Sequence, residues 1–248
     1  MGERTALVTG AAAGIGAAIA GLLAGRGYRV ALLDRDGAAV AETADGLGGA
    51  LAIAADVTDE GDVARAFDSL PFVPDLVVNN AGIVRFGLLA EQSVDDFRQV
   101  IAVNLEGAYI VAREAVQRML PRGDGHVVSL TSINAYSPGP GAGAYPASKS
   151  GVLQLMRQFA LEYGEQGIRF NSIAPGFIDG GMSAPIYADP AVRAARSGGV
   201  PLKRLGTPED IAEAVAFLDS PAGAYVNGHD LVVDGGVSHA VLKNLPRK

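Results

Sequence analysis

The sequence has 248 residues, no cysteine and a net charge of −7, with 49% hydrophobic and 19% charged residues. This composition is typical of a folded chain with one hydrophobic core, and it excludes disulfides, thiolate chemistry and cysteine-ligated metal sites. An acidic chain without a cluster of lysine and arginine is a poor partner for nucleic acid. The histidines His126, His229 and His239 lack the helical spacing of metal ligands, so we expect no catalytic metal.

The segment between Arg4 and Arg26 contains no charged residue. It is rich in glycine and alanine, however, and its large aliphatic residues from Ile15 to Leu23 recur at the spacing of a helix that packs one face on a core. A membrane span needs a longer run of large apolar residues. We therefore expect a cytoplasmic protein that does not bind membranes.

Short apolar runs, typical of buried strands, alternate along the chain with longer amphipathic runs, typical of helices. The predicted strands are Thr5–Thr9, Arg29–Leu33, Ala50–Ala55, Asp75–Asn79, His126–Thr131, Arg169–Ala174 and Leu231–Val233. The predicted helices include Ile15–Arg26, Asp59–Ser69, Val94–Leu120, Pro146–Gly164 and Pro208–Leu218. Because strands separated by helices pair in parallel, this order predicts an α/β fold, a doubly wound parallel sheet with helices on both faces, in one domain over residues 1–248. Ligands of such sheets bind beyond the carboxyl ends of the strands.

The segment after the first strand, Thr9–Gly16, is rich in glycine and leads directly into the first predicted helix. Glycine lets the backbone turn tightly and approach a pyrophosphate, whose charge is favoured by the N–H groups at a helix N-terminus. With 33 glycines in the chain, the spacing alone is weak, and the position between strand and helix is what favours a nucleotide. The candidate residues are Gly10, Gly14, Ile15 and Gly16.

Asp34 ends the second predicted strand, close to the distance of ~20 residues at which an acidic residue binds the adenosine ribose. A carboxylate there repels a 2′-phosphate, so NAD is favoured over NADP. Arg35 would soften that preference, but Ala13 leaves the glycine-rich segment without a second basic residue. The alternative is that Asp34 is a solvated loop acid.

Polar and small residues also follow the third and fourth predicted strands. Asp56 and Val57 follow the third strand, and Asn80 lies in Asn79–Gly82 after the fourth. An adenine edge and a ribose would lie at these strand ends. Taken singly, each motif is also compatible with an ordinary turn.

Tyr145 and Lys149 are four residues apart at the start of a predicted helix, so their side chains share one face. Ser132 follows the fifth strand. A free phenol, with a pKa of about 10, is a weak base near neutrality, and a shift of three units needs about 4 kcal/mol of stabilisation of the phenolate. A nearby ammonium and a positive nicotinamide both supply such stabilisation. The Ser132 hydroxyl would hold a substrate oxygen against the phenol.

Asn104 is a polar residue in an apolar stretch of the predicted helix Val94–Leu120. Two interpretations remain open for it. Its amide would either hold a water molecule behind Lys149 or bond to the backbone as an ordinary buried asparagine.

Together these motifs resemble the short-chain dehydrogenase/reductase family, in its single-domain branch of about 250 residues. The resemblance covers nearly the whole chain in the right order. It is carried by Thr9–Gly16, Asp56, Asn79–Gly82, Asn104, Ser132, Tyr145, Lys149, Pro175–Gly176, Asn227–Gly228 and Asp234–Gly236.

The resemblance implies a seven-stranded Rossmann-like sheet and a catalytic tetrad of Asn104, Ser132, Tyr145 and Lys149. Tyr145 would be the acid/base and Ser132 would position the substrate. Lys149 would bind the nicotinamide ribose and lower the pKa of the tyrosine, while Asn104 would hold a relay water. Asp34 would bind the adenosine ribose, and Asp56 and Val57 the adenine. The resemblance also implies a homodimer or homotetramer built from the long helices.

One position departs from the family pattern. The family often has a threonine four residues after the glycine of Pro175–Gly176, where it reaches the nicotinamide amide, and this chain has Gly180. Backbone groups at Ile178 would then hold the carboxamide. The pair Gly180–Gly181 would alternatively make the following segment a mobile lid.

The substrate is the property that the sequence determines least. We expect the pocket to be lined by the turn after Ser132, by Val84–Phe86 and by Phe177–Arg196, with Asn134 meeting a second hydroxyl and Arg85 a carboxylate unless they face water. The hypothesis is oxidation of a secondary alcohol, such as a small polyol, sugar or cyclic alcohol. The alternatives are a 3-oxoacyl thioester reductase and a non-catalytic nucleotide-sensing protein. The tail Val237–Lys248 is expected to cover a neighbouring pocket or to fray.

Overall fold

The computed structural model describes residues 4–240, and these residues build one parallel sheet with helices on both faces. Its strands are β1 (Thr5–Thr9), β2 (Arg29–Asp34), β3 (Leu51–Ala54), β4 (Leu76–Asn79), β5 (Gly125–Leu130), β6 (Ile168–Pro175) and β7 (Asp230–Val233). They pair in the order β3-β2-β1-β4-β5-β6-β7, all in parallel. The predicted doubly wound, Rossmann-like sheet is confirmed. Because the strand order reverses between β1 and β4, the carboxyl ends of these strands open onto a crevice.

The helices follow from the alternation of apolar residues along the chain. They are α1 (Gly14–Gly25), α2 (Gly37–Asp45), α3 (Glu60–Ser69), α4 (Val94–Ile101), α5 (Gly107–Met119), α6 (Tyr145–Tyr163), α7 (Ala184–Tyr187), α8 (Pro190–Gly199) and α9 (Pro208–Leu218). Each predicted strand, and each predicted helix except Val94–Leu120, has ends within one residue of the observed ones. The order of the strands, and of the helices α1, α3, α6 and α9, could therefore be predicted from apolar periodicity.

The hydrophobic core lies in two layers, one on each face of the sheet. Leu7 of β1 packs in the layer covered by α3, α5 and α6, whereas its neighbour Val8 packs in the layer covered by α1 and α9. Both side chains are fully buried. Strands buried on both faces are continuous apolar runs, which is why this sheet was recognisable in the sequence.

The prediction of one long helix over Val94–Leu120 is wrong at its centre. Residues Ala102–Glu106 form a π-helical turn between α4 and α5. Asn104 lies in this turn, and its side chain is bonded to groups outside the helix. Gly107 follows the turn, and a Cβ there would come within 2.8 Å of Cγ2 of Val57, so the helix passes unusually close to the end of β3. Turns of this kind mark an inserted residue and occur frequently at functional sites.

Three helices were absent from the sequence prediction. The helix α2 begins after Asp36, whose carboxylate accepts a hydrogen bond from Ala39 N at 3.0 Å. The helices α7 and α8 lie in the segment predicted as a pocket wall or lid, and Asp189 caps α8 in the same way. These helices are short, so their apolar periodicity is weak, but each of these two N-terminal aspartates is a readable start signal.

Among residues 4–240, no helix has the length and apolar character needed to span a membrane. Of the tail Val237–Lys248, the first residues form a short 3₁₀ turn at Val237–His239. Residues 241–248 lie outside the described residues, so the expectation for the tail stays a prediction.

Candidate active site

The glycine-rich segment forms a tight loop between β1 and α1. Gly10 and Gly14 have φ values of +63° and +59°, in the left-handed region that disfavours residues with a side chain. A Cβ at Gly10 would lie 2.8 Å from Cα of Ala81, and one at Gly16 would overlap the carbonyl oxygen of Gly10. The loop therefore leaves no space for side chains at these positions.

The N-terminus of α1 opens directly onto this loop. Ala13 is the residue before the first turn and makes no side-chain hydrogen bond to the helix. No side chain therefore caps the first N–H groups of α1, which include that of Ile15. Unpaired N–H groups at a helix N-terminus bind anions. The uncapped helix and the cleared backbone together fit the pyrophosphate of a dinucleotide.

Asp34 lies beside the glycine loop. Its carboxylate accepts hydrogen bonds from Ala12 N at 3.2 Å and from Asp36 N at 3.1 Å. These bonds fix the carboxylate at the carboxyl end of β2, next to the loop that would hold the pyrophosphate. Arg35 is exposed at the neighbouring position.

The residues that follow β3 and β4 tie the rim of the crevice together. Asp56 accepts from the backbone and the hydroxyl of Thr58 at 2.9 and 2.8 Å. Val57 is buried with its side chain in the core, so only its backbone faces the crevice. Asn80 donates through its amide to the carbonyl oxygens of Thr9 and Gly10 at 3.0 and 2.9 Å, and thereby holds the glycine loop to the end of β4.

Gly180 and Gly181 close the other side of the loop. A Cβ at Gly14 would come within 2.7 Å of Cα of Gly181, so two backbones meet here without side chains. A Cβ at Gly180 would come within 2.8 Å of Cγ of Pro208, the first residue of α9. Since any larger residue at position 180 needs Pro208 to move, the departure from the family threonine has a steric cause in this chain.

Ile178 is held by a short parallel bridge to Gly206. Asp179 N donates to the carbonyl oxygen of Gly206 at 2.8 Å, and Gly206 N donates to that of Phe177 at 2.9 Å. Since backbone groups alternate in direction along an extended segment, the N–H of Ile178 points away from Gly206. The bridge with Gly206 therefore does not use this N–H.

The candidate catalytic side chains meet at the carboxyl end of β5. Ser132 precedes a short 3₁₀ helix, Ile133–Ala135, and its hydroxyl accepts from Asn134 N at 3.1 Å. Tyr145 is the first residue of α6, and Lys149 follows one turn later. The Lys149 ammonium donates to the Leu130 carbonyl at 2.7 Å and lies 5.7 Å from the centre of the Tyr145 ring.

Burial perturbs both titratable groups. It raises the pKa of the Tyr145 phenol, and the hydroxyl of Ser132 opposes this by a smaller amount. Burial lowers the pKa of Lys149 to about 8, against a smaller opposing effect of Asp230. A half-buried phenol and a buried amine with perturbed pKa values, side by side on one helix, are typical of acid–base sites.

Asn104 joins the end of β4 to α6. Its amide oxygen accepts from Ile83 N at 2.8 Å, and its amide nitrogen donates to Ile83 O at 2.9 Å and to Ser148 Oγ at 3.0 Å. Both amide hydrogens are therefore used, and one lone pair of the oxygen remains. A Cβ at Gly82 would lie 3.3 Å from this oxygen and 3.6 Å from Nζ of Lys149, so the space beside Gly82 faces both groups.

Two residues expected to contact substrate already bind other groups of the protein. The Asn134 amide oxygen accepts from Gly139 N at 2.8 Å, and its nitrogen lies 3.5 Å from Ser132 Oγ. Arg85 is directed toward α4, where it lies 3.7 Å from a carboxylate oxygen of Asp96. These contacts leave Asn134 beside the serine and turn Arg85 away from it.

A buried carboxylate that was not predicted from the sequence lies behind this group. Asp230, the first residue of β7, is 5% exposed and accepts from Thr131 Oγ1 at 2.8 Å and from Tyr136 OH at 2.6 Å. The available signal was an acidic residue directly before an aliphatic run typical of a strand, Leu231–Val233, because a charge that enters a sheet needs a partner.

The fold and this geometry define a dinucleotide-binding oxidoreductase with a tyrosine–lysine pair. The family model described as "Enoyl-(Acyl carrier protein) reductase" matches residues 10–238. The chain is 41% identical over 246 residues to cis-4-hydroxycyclohexanecarboxylate dehydrogenase from Sinomonas cyclohexanicum, covering 94% of this chain and 96% of that protein. It is 38% identical over 244 residues to 3beta-hydroxysteroid dehydrogenase 1 from Eggerthella lenta, with 95% and 94% covered.

Among solved structures, a 3-oxoacyl-(acyl-carrier protein) reductase with bound NAD from Brucella melitensis has a TM-score of 0.89 at 34% identity, covering 95% of this chain and 91% of that chain. The chain belongs to the short-chain dehydrogenase/reductase family. Members of this family transfer a hydride between a nicotinamide cofactor and an alcohol or ketone carbon, and this chain is an oxidoreductase of that kind.

Proposed function

We propose that the chain is an NAD-dependent dehydrogenase that oxidises a secondary alcohol, with a small cyclic alcohol, polyol or sugar as substrate. The observation that carries the proposal is the meeting of Ser132, Tyr145 and Lys149 beside the dinucleotide loop. Ala81 touches that loop at Gly10, and the next residue, Gly82, faces Lys149. The cofactor loop and the reacting groups are thus joined through adjacent residues.

Tyr145 acts as the base for the substrate hydroxyl. Its phenolate oxygen takes the hydroxyl proton while the substrate carbon loses a hydride, so that the C–O bond becomes a carbonyl. The bound nicotinamide supplies the hydride acceptor. In the reverse direction, the phenol returns the proton to the carbonyl oxygen.

Ser132 holds the substrate oxygen in line with the phenol. Its hydroxyl accepts from the backbone of Asn134, so its own hydrogen points to the acceptors on the side of Tyr145 and would donate to a substrate oxygen placed there. The Asn134 amide limits the rotation of that hydroxyl. A fixed hydrogen-bond donor at this point reduces the entropic cost of the reactive geometry.

Lys149 keeps the phenolate accessible near neutral pH. Burial raises the pKa of Tyr145, and the hydroxyl of Ser132 opposes that effect. An ammonium 5.7 Å from the ring centre would add to this opposition, because a positive charge favours the anionic form of the phenol. With a pKa of about 8, Lys149 is largely an ammonium at pH 7. Its remaining donors would also bind a ribose hydroxyl.

Asn104 keeps the Ile83 segment and α6 in register around Lys149, and the free lone pair of its amide oxygen would hold the relay water.

Asp34 is the residue that favours NAD over NADP. Its carboxylate is fixed beside the pyrophosphate loop by two backbone N–H groups. The negative charge of a 2′-phosphate brought to this place would be repelled by this carboxylate. Asp56 and the backbone of Val57 would lie along the adenine, and Ile178 N–H would bind the carboxamide.

Two of the similar dehydrogenases support a cyclic secondary alcohol within the proposed class. The two similar dehydrogenases are named for a hydroxycyclohexanecarboxylate and a hydroxysteroid. The candidate pocket walls contain apolar side chains from Phe86, Ile133 and Phe177, which suit a ring.

A 3-oxoacyl thioester reductase is the second candidate, since one similar structure is such an enzyme. Recognition of an acyl carrier would need a basic entrance to the pocket. Arg85, a basic residue of the predicted wall, is directed to Asp96 and Gln99 instead. Arg193, in the other wall segment, lies 2.6 Å from a carboxylate oxygen of Asp179. A non-catalytic nucleotide sensor is less consistent, because it needs neither the serine nor the tyrosine–lysine pair.

The chain is further proposed to act as a cytoplasmic homo-oligomer, a dimer or tetramer. Val94 and Phe97 on α4 and Tyr109 on α5 are 62%, 42% and 41% exposed, which makes an apolar face on these two helices. Light scattering of the purified protein tests this, and a monomer at micromolar concentration would contradict it. Cell fractionation tests the location.

The experiment that tests the function follows NADH formation over cyclic secondary alcohols, polyols, sugars and 3-hydroxyacyl thioesters, with NAD and NADP compared at equal concentration. Turnover with NAD that falls by about two orders of magnitude or more in Ser132→Ala supports the proposal. Preference for a thioester, or for NADP, would overturn its substrate or its cofactor part respectively. Dinucleotide binding without turnover of any substrate would favour the sensor.

A further inference from the structure

A buried carboxylate holds both ends of the turn that carries Ser132. Thr131 directly precedes Ser132, and Tyr136 directly follows the short helix Ile133–Ala135. Tyr136 OH donates to Asp230 at 2.6 Å, and Thr131 Oγ1 lies 2.8 Å from the same carboxylate and 2.9 Å from the Ile173 carbonyl oxygen. Because a carboxylate is the stronger acceptor, the single hydroxyl hydrogen of Thr131 is assigned to Asp230. Hydrogen bonds to a carboxylate are shorter and stronger than those between neutral groups. The position of the serine hydroxyl therefore depends on a residue of β7, two strands away in the sheet.

The same carboxylate acts on Lys149 through its charge. Lys149 donates to the carbonyl oxygen of Leu130, and Asp230 binds the hydroxyl of the next residue, Thr131. Among the described residues, the titratable groups that face Lys149 are Tyr145 on its own helix and Asp230 from β7. Burial lowers the pKa of Lys149, and Asp230 opposes that effect. Tyr136 faces Asp230 from the other side, and its own pKa is raised to about 12, so it remains a neutral donor.

We propose that Asp230 is a positioning residue for the reaction, which fixes Ser132 through Thr131 and Tyr136 and places a negative charge behind the Leu130–Thr131 segment that Lys149 binds. The proposal rests on the proposed function for its catalytic consequence. Asp230 itself would touch neither substrate nor cofactor. Its two effects, one geometric and one electrostatic, are separable by mutation.

Asp230→Asn keeps the size of the side chain and removes its charge. Tyr136→Phe keeps the charge and removes one end of the clamp. The matched control is Asp219→Asn, since Asp219 is also a buried carboxylate, 4% exposed, but binds Arg4, Tyr28 and His126 at the start of β5. That position is at the opposite end of the sheet from Ser132.

The first measurement needs no substrate or cofactor. The sequence contains four lysines, Lys149, Lys203, Lys243 and Lys248, so side-chain NMR of lysine labelled with carbon-13 can follow each titration. Lys149→Met identifies the Lys149 signal. In Asp230→Asn the pKa of Lys149 should fall by about 0.5–1 unit because a negative charge is lost. It should be unchanged in Tyr136→Phe and in Asp219→Asn. An unchanged Lys149 titration in Asp230→Asn overturns the electrostatic part. If Asp230→Asn does not fold, Asp230→Ser, also neutral, takes its place.

The second measurement is the pH dependence of turnover. Asp230→Asn should lower kcat by about tenfold with little change in KM, as expected for a displaced positioning group, and move the alkaline limb of the profile to lower pH. Tyr136→Phe should lower kcat without moving that limb. Equal kcat in both variants and the native chain would overturn the geometric part. If the native chain shows no turnover while the Lys149 titration shifts, the proposed function fails and the coupling of Asp230 to Lys149 stands.

Discussion

Replacement of Gly14 by alanine tests whether the close approach of two backbones builds the dinucleotide site. Gly14 has a φ of +59°, where a residue with a Cβ is disfavoured by about 1–2 kcal/mol. The new Cβ would in addition lie 2.7 Å from Cα of Gly181, so one of the two backbone segments must move. A shift here opens the loop between α1 and the Ile178–Gly181 segment.

The expected result is a loss of dinucleotide affinity beyond the loss of stability. We expect Gly14→Ala to weaken NADH binding by at least tenfold, which corresponds to about 1.4 kcal/mol. The matched control is Gly27→Ala, since Gly27 also has a positive φ, +84°, but has nothing within 4 Å of its Cβ position. It should lose similar backbone stability and keep its affinity.

The assay is titration of NADH fluorescence, made simpler by the absence of tryptophan from the chain, with thermal unfolding of the same samples. Unchanged NADH affinity in Gly14→Ala, or an equal loss of affinity in Gly27→Ala, would refute the role assigned to the contact between Gly14 and Gly181. Both variants should lower the unfolding temperature by roughly 2–8 °C for a chain of this size.

Three further predictions follow from single contacts. Asp34→Ser should raise kcat/KM with NADP relative to NAD by at least about tenfold, because the carboxylate that opposes a 2′-phosphate is removed, and an unchanged ratio of the two would contradict this. Gly180→Thr should lower the free energy of unfolding by about 1–3 kcal/mol, since its Cβ would lie 2.8 Å from Pro208. Gly180→Thr combined with Pro208→Ala should recover much of that loss. Equal unfolding temperatures of the single and the double variant would exclude the contact. Lys149→Met should be more stable than the native chain near pH 7 by about 3 kcal/mol, because the native lysine has a pKa of about 8 when folded and 10.5 when unfolded. Between pH 8 and 10.5 the unfolded chain binds more protons at Lys149 than the folded chain does, so the stability of the native chain rises with pH in this range. The stability difference between Lys149→Met and the native chain should therefore shrink from pH 8 to 10.5. The control is Lys203→Met, at an exposed site, which should give no such trend.

The sheet could be predicted well because each strand is recognised from the residues of its own segment. Runs such as Thr5–Thr9 and the residues directly after them can be recognised one segment at a time, and parallel pairing then brings their carboxyl ends together. Tyr145 and Lys149 lie one helical turn apart, so their shared face also follows from local spacing.

The features that were missed depend on contacts between distant segments. The π turn at Asn104 follows from bonds of that side chain to Ile83 and Ser148, which no periodicity reveals. Asp230 lies 99 positions from Thr131 in the chain, and only the sheet brings them together. The steric reason for Gly180 likewise requires knowledge of where Pro208 packs.

The measurement that tests the central claim most directly compares Tyr145→Phe with Tyr225→Phe. The first removes the proposed acid/base, and the second makes the same change at a fully exposed tyrosine. We expect Tyr145→Phe to bind NADH with native affinity and to lose turnover of the best alcohol by about 10²–10⁴-fold, while Tyr225→Phe keeps both. Native turnover in Tyr145→Phe would contradict the assignment of the acid/base to this tyrosine and with it the account of the site.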